Sequence, residues 1–113
     1  MRLPPRAYRA LMKSAFPVLW VWRDDPYAGR LELDGARVTL TARDRALSFP
    51  VGLVSELEVR RGASQRVRRL PVLALRMASG DVVRVASLGG AGSLHELAAA
   101  IGDRRAQAAA SGA

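Results

Sequence analysis

The strongest chemical signal in this chain is RRGASQRVRR, residues 60–69, where Arg60, Arg61, Arg66, Arg68 and Arg69 stand together with no acidic side chain among them. A guanidinium presents a planar fork of N–H donors that matches carboxylate or phosphate oxygens two at a time. Gly62, Ala63, Ser64 and Gln65 are too small or too polar to hold the stretch in a core. Two readings follow: a solvated loop that keeps a β edge from pairing, or an anion-binding site made of those five arginines for acidic lipid or nucleic acid.

Other constellations carry less. Glu56 and Glu58 lie two apart on one strand face and could seat paired carboxylates, but their alternation with Arg60 reads as a solvent-facing ladder. Residues 88–93, LGGAGS, give G-x-G at Gly90 and Gly92 before a helix, yet His95 occupies the place of the third glycine. Too little chain follows for a second parallel strand, so a nucleotide site is not expected. A plain anion held by the first free amides of the helix is a weaker option. His95 is the only histidine and there is no cysteine, which removes thiolate chemistry. No serine sits in a nucleophile elbow, and no His or Asp pair has metal spacing. The expectation is therefore no catalytic residue, no cofactor, no metal and no small-molecule substrate: a binding protein and not an enzyme.

A chain of 113 residues is one domain, able to bury about 65% of its unfolded surface. Half its residues are hydrophobic and a quarter charged, which is ordinary for a folded protein. Its charge is not ordinary, since 18 basic residues face 10 acids for a net +8. Such a surplus favours an acidic neighbour, although an Arg-, Ala- and Gly-rich composition also follows from a GC-rich genome. Few aromatic residues are present and none lies in the arginine stretch, which makes nucleic acid the weaker partner.

The chain opens on a basic, apolar segment. Pro4 and Pro5 can start a helix with Tyr8, Leu11, Met12, Ala15 and Phe16 on one side, and Pro17 ends that pattern. Residues 18–22, VLWVW, follow as a short apolar run, extended or helical. It is too short to span a bilayer, and no small-residue cleavage site follows. The run either packs on the domain, even pairing as an extra strand, or forms an exposed contact surface. The second reading makes Phe16, Leu19, Trp20 and Trp22 the residues that meet a protein partner or a membrane.

From Arg30 the pattern turns to strands. Leu31 and Leu33, Val38 and Leu40, and Leu47 and Phe49 each alternate with polar neighbours, with turns at Asp34-Gly35 and at residues 43–45. Ser55, Leu57 and Val59 share one face of a fourth strand. Leu73, Leu75 and Met77 alternate on a fifth, Ser79-Gly80-Asp81 turns the chain, and Val83 and Val85 form a sixth. Ser93 and Glu96 then read as a capping box for a helix beginning at Leu94, with Leu94, Leu97, Ala98 and Ile101 on one stripe and Gly102 as its stop. Strands and helices do not alternate, so a parallel α/β sheet is not expected.

In GRLELDGARVTLTA, ALSFPVGLVSELEVRRG, LPVLALRMASGDVVRVASL and SLHELAAAIG, residues 29–102 resemble a pleckstrin-homology-like (PH-like) domain of the small bacterial kind. The resemblance implies a mainly β fold: a partly open antiparallel barrel of six to seven strands capped by a C-terminal helix, with residues 18–22 able to supply the seventh strand. It divides the chain into residues 1–28 as an N-terminal segment, 29–102 as the barrel and 103–113 as a flexible tail. Lipid-binding members hold phosphoinositide head groups around the loop between their first two strands. The strands counted here put the tight, acidic Asp34-Gly35-Ala36 in that place, so that site is not carried over. What remains is a non-catalytic adaptor that binds a protein partner, with anion binding at the arginine stretch as its alternative. Its expected place is the cytoplasm, or the inner face of the membrane as a peripheral protein.

Overall fold

A computed structural model describes residues 13–62, 67–89 and 91–111. Among these residues, seven antiparallel strands make one sheet, curled into a half-barrel and closed by one long helix. The strands are β1 (Lys13–Trp22), β2 (Asp25–Asp34), β3 (Arg37–Ala42), β4 (Ala46–Pro50), β5 (Val54–Arg60), β6 (Val72–Met77) and β7 (Val82–Ser87). Helix α1 spans Ala91–Ser111, and a short 3-10 turn at Val51–Leu53 joins β4 to β5. In space the strands run β4-β3-β2-β1-β7-β6-β5, an order consistent with the PH-like arrangement.

The inner face is the alternation read from the sequence. Val18, Trp20, Leu31, Leu33, Val38, Leu40, Phe49, Leu73, Leu75, Val83 and Val85 are all buried in one cluster. Each fully buried side chain of this size contributes about 1.5–3 kcal/mol. The central strand is the one the periodicity left ambiguous. β1 pairs with β2 along its whole length and with β7 from Val18 to Val21, so the tryptophan run is the seventh strand. A helix continuing through Ala15 and Phe16 is thereby corrected, because residues 13–22 are extended. Their β-branched and aromatic side chains suit a pleated surface with neighbours on both sides. Tyr8, Leu11 and Met12 lie outside the described residues.

Residues 24–29 read as a linker, yet residues 25–29 belong to β2. The chain reverses in two residues, Arg23 and Asp24, whose φ values of 53° and 68° are both left-handed. Asn or Gly ordinarily marks such a turn, so the sequence hid it. Pro26 is tolerated because β2 has no second neighbour there; pairing with β3 begins only at Gly29. At Gly29 the strands approach so closely that a Cβ would overlap the Thr41 carbonyl oxygen, which also accepts the Trp20 indole N–H at 3.2 Å. The domain boundary expected after residue 28 therefore falls inside a strand.

Helix α1 also differs from its expected bounds. It starts at Ala91, which places Ser93 in the first turn and not before it, and it runs through Gly102 to Ser111. Leu94, Leu97 and Ile101 are buried, as their spacing predicts. The stripe then continues one turn further with Arg104, only 6% exposed, which donates from Nη1 to the Gly35 carbonyl at 2.7 Å. Arg105 donates to the Ser55 carbonyl at 2.9 Å, at the point where β5 bulges between Val54 and Glu56. A bulge leaves a residue out of the ladder, and here the helix uses its free carbonyl. These contacts offset the cost of a helical glycine, and residues 103–111 are helix and not tail.

Candidate functional site on the outer face

The outer face of a half-barrel should be polar where it meets water. Here it is not. Leu19, Val21, Val72, Ala86 and Val67 form a second buried cluster on that side, with Leu70 packed against it. What covers this cluster is the end of the arginine stretch. Val67 and Leu70 bond to each other's backbone in both directions, at 3.1 and 2.9 Å, and close a two-residue turn. Its tip is Arg68 and Arg69, with φ of 49° and 68°. Both arginines are exposed, held away from the sheet by the hydrophobic pair beneath them. Left-handed backbone at two consecutive bulky residues costs about 1–2 kcal/mol each.

Beside this flap lies an open cleft of about 470 Å³, lined by Val21, Trp22, Arg23, Asp24, Arg60, Gly80, Asp81, Val82 and Arg84. Two hairpin ends and the end of β5 form it: the β1–β2 turn, the β6–β7 turn with Gly80 at φ 96°, and Arg60. Val21 belongs both to the cleft wall and to the cluster under the flap, so the two features are one surface. Arg60 pairs with Glu58 at 3.3 Å. Asp81 accepts from the Ser79 hydroxyl at 3.0 Å, and the Arg23 guanidinium lies 5.1 Å from the Trp22 ring centroid. Arg84 differs from these. It is half-buried on β7 between Val21 and Ala74, and no hydrogen bond or ion pair holds it among the described residues.

The residues singled out from the sequence are thus dispersed and partly regrouped. Trp20 is fully buried and Leu19 is 5% exposed, so neither offers a contact surface; the central position of β1 is the reason. Phe16 is half-buried against the main core. Trp22 also packs there, while contributing to the cleft. Of the arginines, Arg60 lines the cleft and Arg68 and Arg69 form the flap tip. Arg61 turns away to the helix, its Nη2 lying 2.9 Å from His95 Nε2, and Arg66 lies outside the described residues. Glu56 and Glu58 are exposed and each meets an arginine, Arg76 at 4.0 Å and Arg60 at 3.3 Å. Arg23, Asp24, Asp81 and Arg84 escaped the sequence reading, because their proximity depends on pairing β1 with β7.

The loop between the first two strands is the Arg23–Asp24 turn and not Asp34-Gly35-Ala36, which joins β2 to β3. It remains two residues long, with one cation set against one anion. Among the described residues no helix is long and apolar enough to cross a membrane, and no group of three His, Cys, Asp or Glu side chains is placed to hold a metal. No family model matches the chain, and no curated protein matches it.

Proposed function

We propose that this chain is a non-catalytic binding module of PH-like fold that engages a protein partner on the outer face of its sheet. The observation that supports this is the open cleft beside the flap. Val82 gives it a partly exposed apolar wall and Arg23, Arg60 and Arg84 a charged rim, and apolar surface rimmed by charge is the anatomy of a docking site. Arginine is the charged residue enriched at such sites, and the cleft with its flap is arginine-rich. A photo-reactive amino acid at Val82, in the cleft, tests the reading. It should cross-link a polypeptide in cells of the source, whereas the same group at Ala46, on the far edge strand, should not. Equal labelling from both positions, or none from Val82, would defeat it.

A second reading rests on the flap alone. Two adjacent exposed arginines in a strained turn could contact an anionic surface, and backbone strain of this kind gathers at functional sites. Binding to phosphatidylserine vesicles and to a random oligonucleotide would then fall steeply with salt. The double change Arg68→Ser and Arg69→Ser should abolish it without altering thermal stability.

A further inference from the structure

We infer that Arg84 is the anchor for a carboxylate, and that the outer-face cleft takes an acidic peptide segment of a partner protein. The inference rests on the protein-docking reading and specifies its chemistry. Arg84 stands in the middle of the sheet, its strand flanked by β1 and β6, so its backbone is held fixed in the cleft wall. Of the charged groups near it, Glu58 pairs with Arg60, Asp81 accepts from Ser79 and Arg23 lies over Trp22, while Asp24 lines the same cleft without bonding to Arg84. A half-buried guanidinium with unused donors favours an incoming oxyanion, and its fork suits a carboxylate held by two parallel bonds.

The rest of the lining selects among anions. Asp24 and Asp81 share the cleft with Arg23, Arg60 and Arg84. A bilayer surface or a phosphodiester chain would bring negative charge against both aspartates as well as the arginines. A peptide does not. It carries one carboxylate at a chosen position and offers backbone N–H groups or a basic side chain to the aspartates. Val21 and Val82 supply apolar wall for a flanking aliphatic residue. The open shape admits a chain that passes through, with no need for a closed cavity.

The test titrates the full chain, uniformly labelled with nitrogen-15, using the acetylated and amidated peptide Gly-Leu-Glu-Leu-Lys-Gly. Its Gln analogue and inorganic phosphate serve as comparison probes. The acidic peptide should shift the Arg84 Nε–Hε resonance and the Val82 amide in a saturable way, more than the other probes at equal concentration. Arg84→Gln should weaken binding about tenfold, and Arg84→Lys should restore less than half of the loss, since an ammonium lacks the fork. Circular dichroism and thermal unfolding of both variants confirm that they remain folded. A parent that does not distinguish Glu from Gln, stronger shifts with phosphate than with peptide, or unchanged binding by Arg84→Gln would each overturn the inference. If the Val82 cross-link survives in Arg84→Gln, the docking surface stands and only the carboxylate anchor fails.

Discussion

Two backbone positions show how single residues set this structure. At Gly29 the β2–β3 approach leaves no room for a side chain, and the Thr41 carbonyl that would be struck is the one that satisfies Trp20. Gly29→Ala should therefore cost about 3 kcal/mol or more, read as a fall in the urea midpoint. A midpoint within error of the parent would mean that β3 can move away freely. The flap tip is the opposite case, because side chains are present where the backbone disfavours them. Replacing Arg68 by Asn and Arg69 by Gly should raise stability by about 1 kcal/mol, since both residues accept left-handed φ. If the tip also contacts a ligand, the stabilised variant loses that contact, and stability and binding move in opposite directions.

At the scale of elements, the helix gives the sharpest test. Were Gly102 a left-handed stop, adding a side chain there would be destabilising. It sits inside α1, and a Cβ would lie 4.0 Å from Leu57 Cδ1, an ordinary contact. Gly102→Ala should thus raise stability by about 0.5–1 kcal/mol. Arg104→Ala should lower it by about 1.5–3 kcal/mol through loss of its charged hydrogen bond to the Gly35 carbonyl. Both shifts are measured by thermal and urea unfolding, and the signs alone decide. The apolar stripe of this helix was legible because Leu94, Leu97 and Ile101 repeat at three and four. Its true end was not, because Arg104 docks by bonding a carbonyl that is distant in sequence and carries no periodicity. The strands divide in the same way. β3 and β4 alternate cleanly, whereas β1 is apolar on both faces and alternation has nothing to contrast.

For the molecule as a whole, the position of β1 decides what the N-terminal region is for. The outer-face site could not be read from the sequence for the same reason: Val21 and Arg84 meet only because β1 and β7 pair, and no local pattern signals that pairing. As an exposed docking segment, residues 1–22 would be dispensable for folding. As the centre of the sheet, β1 joins β4-β3-β2 to β7-β6-β5, and its removal leaves two fragments of sheet with unpaired edges. Val18, Leu19, Trp20 and Val21 alone are worth about 6–12 kcal/mol of burial, comparable with the whole stability of about 5–15 kcal/mol expected for a domain. A chain beginning at Arg23 should show no cooperative transition in urea and no fixed near-ultraviolet signal. A synthetic peptide of residues 13–22 should restore both when added in excess, because the inner cluster and both flanking ladders wait for that strand. A truncated chain that unfolds cooperatively at the parent's midpoint would show that the half-barrel does not depend on its central strand.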